Sequence, residues 1–452
     1  MSRNVAVLLI FLLFTGKACA QGKEGKIPPP SILPLLRDRA EKLSANIPFK
    51  IHGFAEGALG WLPSKNKLIR NHSFNLMEGR FQLKTLYYPE FWSLLAGWST
   101  AADVKFDLVG DGIAEDFQVE FRDLNVRFSP LNWLDLKVGR QILTWGTGDL
   151  IFVNDLFPKD WVSFFIGRDD EYLKRPSDAL KVSGFSGWVN ADFVLIPFFT
   201  PDNPVRGEYL SFYDPLVGEI VGEDNNLHFN RPPRTPDTME YAARLYRSVG
   251  SYELAAYGFK GFYKQALGVE NTSTGDLFYP RLIALGSSVR GPVPRAGGIG
   301  NLEWAWYHSE DDGSGTDPYI ENSQIRYLAG YERDLWADFT LGIQYFVEEM
   351  LRYDEYQRTL PEEAFFTADE FTQTITLRLT QKLFQQNATA SLFTFFSPTD
   401  LDFNIRPRFS WNITDHWNLT SGANFFAGAH PYTLFGQFRD DNAVYARARY
   451  SF

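Results

Sequence analysis

Arginine at alternate positions is the chemistry this sequence repeats. Arg406 and Arg408 stand two apart in LDFNIRPRFSW, and Arg447 and Arg449 do so in AVYARARYSF. Alternate residues of an extended strand share a face. Asn404, Arg406, Arg408 and Ser410 therefore project to one side, while Phe403, Ile405 and Phe409 project to the other. The same projection adds Arg80, Lys84, Lys137, Arg244, Arg326 and Arg378 to the polar side. A guanidinium is a permanently charged fork that fits carboxylate and phosphate, and rings of Arg and Lys around a pore select anions. Glu56, Glu78, Glu120, Glu240 and Asp338 are set to neutralise the same cations across strands. The sequence leaves both readings open.

A second constellation lies in Thr144–Ser177. Its length suits a connection, yet Ile151, Phe152, Leu156, Phe157, Trp161, Phe164 and Phe165 make it too apolar to sit in water. Such a segment either folds back between the strands or caps them from outside. In the first case Asp149, Asp155, Lys159, Asp160, Arg168, Asp169, Asp170 and Lys174 are presented to solute at a constriction. Other acids crowd two further connections, Glu310 to Glu321 and Glu348 to Asp369. EDDGSGTD at Glu310–Asp317 offers oxygen ligands of the type calcium takes, without the EF-hand spacing, and plain solvation is the favoured reading. Arg231-Pro232-Pro233-Arg234 reads as part of a solvated loop. Catalysis has no comparable signal: the six histidines are scattered, and HExxH, GxSxG and P-loop patterns do not occur. The reading is therefore no enzyme, no catalytic residue, no metal site and no cofactor.

These side chains need strands to position them. Alternating segments begin near Phe49, Asn75, Trp92, Phe117, Trp133, Asp178, Asn190, Met239 and Ser251, and again near Phe278, Ala296, Gln324, Trp336, Phe371, Asn387, Leu401, Trp417 and Asn442. Arg122-Asp123 breaks the alternation, which predicts a bulge. Short connections such as Ser129–Asn132, Ser186–Val189, Val249–Ser251 and Phe384–Gln386 alternate with long ones such as Thr144–Ser177, Pro201–Thr238 and Glu348–Glu370; Ser397–Asp400 is the one short member of the long set. That asymmetry predicts an all-β, transmembrane antiparallel β-barrel of about 18 strands, with short periplasmic turns and long extracellular loops. Trp92, Trp133, Trp188, Trp336 and Trp417 fall at the turn-proximal strand ends, where an aromatic girdle would lie.

Composition agrees. Aromatic residues make up 16% of the 452 residues, yet the mean hydropathy is only -0.24, as suits a greasy outside around a polar interior. No apolar run long enough for a membrane helix follows the first twenty residues. Those residues carry Arg3, an apolar stretch from Val5 to Phe14 and Ala18-Cys19-Ala20, the pattern of a signal peptide over 1–20. Cleavage after Ala20 removes the only cysteine, Arg3 and Lys17, making the formal charge of -11 more negative by two. An acidic chain argues against nucleic acid as a partner. Residues 21–48 read as a periplasmic leader and 49–452 as the barrel.

The terminal AVYARARYSF, closing on an aromatic carboxylate, resembles the final strand of bacterial outer-membrane barrels, the part read by the barrel-insertion machinery. Val138 to Trp161, VGRQILTWGTGDLIFVNDLFPKDW, looks like the alginate-export and related outer-membrane porin families, and FKIHGFAEGALGW is similar to their first strand. The resemblance implies a channel in the outer membrane, surrounded by lipid and lipopolysaccharide, that passes a small hydrophilic solute by passive or facilitated diffusion. Lumen arginines left unneutralised across strands would make that solute anionic. A scaffold barrel for a secretion, export or electron-transfer complex is the alternative. Porins often trimerise, but no exposed patch here assigns a homo-oligomer.

Overall fold

The computed structural model describes residues 49–88, 99–362, 364 and 366–452. The signal peptide, the leader, Trp92 with most of the turn before it, and Glu363 lie outside the described residues. Among the described residues, eighteen strands share one sheet. The first six are β1 (Phe49–Trp61), β2 (Phe74–Tyr87), β3 (Ser99–Asp111), β4 (Asp116–Leu131), β5 (Leu134–Ile142) and β6 (Pro176–Gly184). Next come β7 (Asn190–Ile196), β8 (Glu240–Val249), β9 (Tyr252–Phe262), β10 (Arg281–Pro292), β11 (Ile299–Ser309) and β12 (Gln324–Trp336). The last six are β13 (Phe339–Met350), β14 (Phe371–Leu383), β15 (Ala388–Ser397), β16 (Asp402–Asn412), β17 (Trp417–Gly428) and β18 (Ala443–Ser451).

Each strand pairs antiparallel with its successor. β18 returns to β1, with Ala448 opposite Gly57 and Ala446 opposite Leu59. The sheet is thus a closed barrel with no free edge, which is how a sheet satisfies its backbone polar groups in hydrocarbon. Phe452 completes the seam. Its N–H and C=O both bond to Gly53, and its ring stacks on Phe81 at 5.8 Å between centroids. A Cβ on Gly53 would meet that ring at 2.7 Å, so the close approach requires glycine.

Exposure identifies the outward face. Along β4, Phe117, Val119 and Phe121 are exposed (61%, 52% and 41%), and then Leu124 and Val126 (49% and 38%), so the parity changes between 121 and 124. Lys105 pairs with Asp123 but Phe106 with Phe121, leaving Arg122 as the extra residue of the expected bulge. The bulge turns Arg122 inward, where it is buried. Trp133, Trp188, Trp336 and Trp417 are all exposed beside the short turns. On the outward face, Arg140 faces Asp178 at 4.0 Å near the loop-side ends of β5 and β6.

The two ends differ as the connections predict, with one correction. Besides 398–401, residues 112–115 between β3 and β4 also make a short connection at the long-loop end. The long connection between β7 and β8 carries a two-stranded ribbon, Phe212–Asp214 with Glu219–Val221. Its His228–Asn230 segment joins a three-stranded patch with Gly268–Asn271 and Asp276–Phe278 from the next long connection. The main apolar core lies inside the barrel, where Trp145, Phe157, Phe164 and Phe165 pack with Phe259, Tyr307, Phe395 and Phe426.

Candidate functional site

The β5–β6 connection, residues 143–175, builds the site by crossing the barrel interior. Its side chains and backbone bond to the inward faces of strands all round the wall. Glu303 on β11 accepts hydrogen bonds from the Thr147 and Gly148 amides, the Thr147 hydroxyl and the Asn154 amide. Gln344 on β13 accepts from the Asp149 amide at 2.7 Å and donates to the Asp149 carbonyl at 2.8 Å. Arg378 on β14 grips the Asp149 carboxylate with two donors. Further along, Lys105 on β3 holds Glu171 at 3.0 Å, and Arg122 on β4 donates to the Glu171 and Lys174 carbonyls. Of the two expected dispositions, inside or capping, the loop takes the inside one.

Local sequence explains its shape. Asp160 caps the helix α1 (Trp161–Ile166), accepting from the Ser163 amide at 2.8 Å. Gly167 ends it at φ 90°, and a Cβ there would strike the Tyr445 ring at 2.4 Å. The apolar face of α1 packs on Phe395, Phe426 and Phe438. Burial of these rings is what draws the segment out of water.

After α1 the chain meets the arginines. Arg168 donates to Glu78 at 2.8 Å and lies 3.4 Å from Asp111. Asp169 sits among three guanidinium groups: Arg447 at 3.1 Å, Arg408 at 3.3 Å and Arg449 at 3.7 Å. Burial alone would raise its pKa, but Arg447, Arg408 and Arg449 outweigh burial and hold it below the usual carboxylate range. Asp170 takes Arg406 at 3.2 Å and Arg408 at 3.6 Å. Arg406 also lies over the Phe164 ring at 4.2 Å, and Arg449 reaches Glu56 at 2.8 Å.

The arginines read from strand alternation therefore converge, but on acids. Arg80 is buried among Glu78, Asp107 and Glu120, with its guanidinium over the Tyr172 ring. Arg244 shares Asp192 with Lys181, and Arg326 pairs with Glu348 at 2.7 Å. Of the neutralising acids expected from sequence, Glu56, Glu78 and Glu120 serve arginines and Glu240 serves Lys264, whereas Asp338 lies in a turn with φ 62°. Three of the loop charges do not face solute, correcting the expectation for them. Asp155 and Lys159 are buried against each other at 3.0 Å, and Asp160 is occupied as a helix cap and by Asn203. Lys174 bonds to the Thr144 hydroxyl at 2.7 Å. Sequence gives no depth to a loop that turns inward, so it does not separate the charges that reach solute from those that pair within the loop.

Lys84 and Lys137 are different: neither has an ion-pair or hydrogen-bond partner among the described residues. Lys137 is flanked in register by Arg127 on β4 and Lys181 on β6, a row of three inward cations. Arg127 was missed because its parity depends on the Arg122 bulge. Glu303 was missed too, although NLEWAWY places it on the same face as Asn301 and Tyr307. Lys84 and Arg127 point inward and are nevertheless exposed, so the barrel is hollow where they stand.

In Glu310–Asp317 the Asp312 carboxylate is taken up by the Ser314 hydroxyl and the Gly315 and Asp317 amides. Among the described residues no cluster of metal-ligating groups is found.

Solved structures share this architecture. OccK2 (OpdF) of Pseudomonas aeruginosa, in complex with glucuronate, superposes with a TM-score of 0.55 at 10% identity, over 89% of this chain and 97% of that one. OccAB3 of Acinetobacter baumannii gives 0.54 at 8% identity, over 89% and 99%. OccK11 (OpdR) of Pseudomonas aeruginosa gives 0.52 at 8% identity, over 89% and 96%. No protein-family model and no curated protein matches the sequence.

Proposed function

We propose that this protein is a porin-like outer-membrane channel through which small hydrophilic solutes diffuse, with a preference for anions. The observation that carries the reading is the inward loop, fastened around the wall by Glu303, Gln344, Arg378 and the Asp169 arginines while the lumen at Lys84 and Arg127 stays hollow. A segment that crosses a closed barrel still hollow at its turn-side end suits a filter rather than a plug. The anion preference rests on Arg127, Lys137 and Lys84, which make no close ion pair among the described residues although Asp103 and Asp123 stand near them, and not on the arginines that are already paired. The glucuronate held by OccK2 is a carboxylate-bearing solute of the kind such cations attract. The apolar body of the loop packs inside the barrel, which disfavours the scaffold reading.

The test is planar-bilayer recording in a KCl gradient. Discrete openings with a reversal potential toward the chloride equilibrium are expected, and Arg127→Gln with Lys137→Gln moves the reversal potential toward zero. No openings would overturn the channel. Cation preference in the wild type, or no response in the double variant, would overturn the anion preference alone.

A further inference from the structure

On the long-loop side of the crossing segment lies a cavity of about 310 Å³. Eleven of its twenty-five lining residues are aromatic, among them Phe152, Trp161, Phe262, Phe346 and Phe395. For scale, a dry apolar cavity of about 150 Å³ takes benzene, so this one has room for a substituted ring. The charged residues in the lining are engaged with one another or with the wall. Asp155 pairs with Lys159, Lys264 gives its ammonium to both Glu240 oxygens, and Asp202 accepts from the Lys159 amide and the Trp161 indole. The pocket therefore has no net charge to offer an ion. Two polar features remain: the Tyr263 hydroxyl, buried with no hydrogen-bond partner among the described residues, and an ion pair. Arg326 and Glu348 are paired at 2.7 Å, with side chains 21% and 27% exposed. Arg326 also donates to Gln324 through Nε and Nη2, at 3.1 and 2.8 Å, and lies over the Tyr307 ring, whereas Glu348 Oε1 takes no hydrogen bond among the described residues and is left as an acceptor beside the guanidinium.

From this arrangement we infer that the cavity is a binding site for a small neutral molecule with an aromatic ring and a hydroxyl group. The ring packs among the aromatic side chains. The hydroxyl donates to the free Glu348 oxygen, next to the guanidinium of Arg326. A carboxylate would meet Glu348 with like charge, and a sugar would leave its hydroxyls unpaired against the rings. The site goes beyond the diffusion reading, because it concerns occupancy of the loop-side vestibule whatever passes below it.

The experiment is calorimetric titration of the detergent-solubilised protein with p-cresol. Thr374→Trp, which fills the cavity from β14, serves as reference in the same detergent so that partition into micelles cancels. Saturable binding of p-cresol to the wild type, absent in Thr374→Trp, is expected, with no binding of glucose. The double variant Arg326→Met/Glu348→Met removes both charges together and is expected to weaken p-cresol about five- to tenfold, the worth of one or two hydrogen bonds, while toluene binding is retained. It also keeps the test alive if Thr374→Trp does not fold. No p-cresol signal above the reference, equal binding of glucose, or an unchanged p-cresol affinity in the double variant would overturn the proposal. A wild type that conducts ions but binds no p-cresol defeats the pocket and leaves the channel standing; one that binds p-cresol without conducting supports the pocket and defeats the channel.

Discussion

Asp169→Asn tests whether the arginines fasten the loop. Four guanidinium groups, Arg406, Arg408, Arg447 and Arg449, face three carboxylates, Asp169, Asp170 and Glu56. Arg447 is the most dependent: its side chain is 3% exposed, and Asp169 at 3.1 Å is its ionic partner. At an effective dielectric near 20, that attraction is about 5 kcal/mol. Removing one member of a buried pair costs about 3–5 kcal/mol. Because Asp169 is 23% exposed, the lower end applies. A loss of about 3 kcal/mol raises the ratio of released to seated loop about a hundredfold. It also leaves four arginines facing two acids, so the lumen becomes more positive. Single-channel recordings of the Asn variant should show frequent transitions to a wider level and a reversal potential closer to the chloride equilibrium. Both effects should be larger in dilute salt, and Asp169→Glu should restore most of the wild-type behaviour. A correctly folded Asn variant with wild-type dwell times and reversal potential would refute the anchoring argument.

Two further outcomes follow from the loops. Deleting Phe152–Ile166 removes the apolar body of the crossing segment, and the single-channel conductance should rise; an unchanged value would show that the segment does not limit flow. At the long-loop end, the buried Asp441 carboxylate accepts from Asn66 at 2.7 Å and from the Ser211 amide and hydroxyl at 2.9 and 2.8 Å, clasping three connections together. Burial outweighs those donated bonds and pushes its pKa up to about 7, whereas in an opened loop it would sit near 3.9. Between those values the closed clasp holds a proton that the open one does not, so closure is favoured at the acidic end and weakens as pH rises through the window. Hydrogen exchange around Ser211, corrected for intrinsic rates, should show protection falling about tenfold between pH 6 and 8. Asp441→Asn should abolish the dependence, and a flat wild-type profile would contradict it.

How far each feature could be read from sequence depends on the separation of the residues that make it. Strand faces and the alternation of turns and loops are local properties, set by period two and by glycine, proline and asparagine at the connections, so the barrel was legible nearly strand by strand. Even the phase break at Arg122-Asp123 was visible, because Phe121 and Leu124 cannot both face outward in a regular strand. Pairing was not legible. Arg378 finds Asp149 across 229 residues and Arg447 finds Asp169 across 278. Nothing in either neighbourhood marks the partner, and a loop that crosses the lumen looks in sequence like one that covers it.

That distinction alters what an inward arginine does. A cation held at 3 Å by a carboxylate presents little field to a passing ion, since the pair is close to neutral beyond a few ångströms and the remaining dipole is screened by salt. Its worth goes into geometry: the Asp169 and Asp149 contacts fix the depth of the loop and hence the bore. In the function proposed above, filtering by charge would fall to side chains outside such close pairs, Lys84, Arg127 and Lys137, which have Asp103 and Asp123 nearby. Arg127, Lys137 and Lys181 standing in register on neighbouring strands is an arrangement that sheet stability alone disfavours, because like charges directly opposite repel. Lys181 reaches Asp192, and Asp123 and Asp103 offset the repulsion that Arg127 exerts on Lys137. An anion pausing between Arg127 and Lys137 would add only to what these acids already supply, which is the condition a transit site must meet if solute is to pause there and still leave.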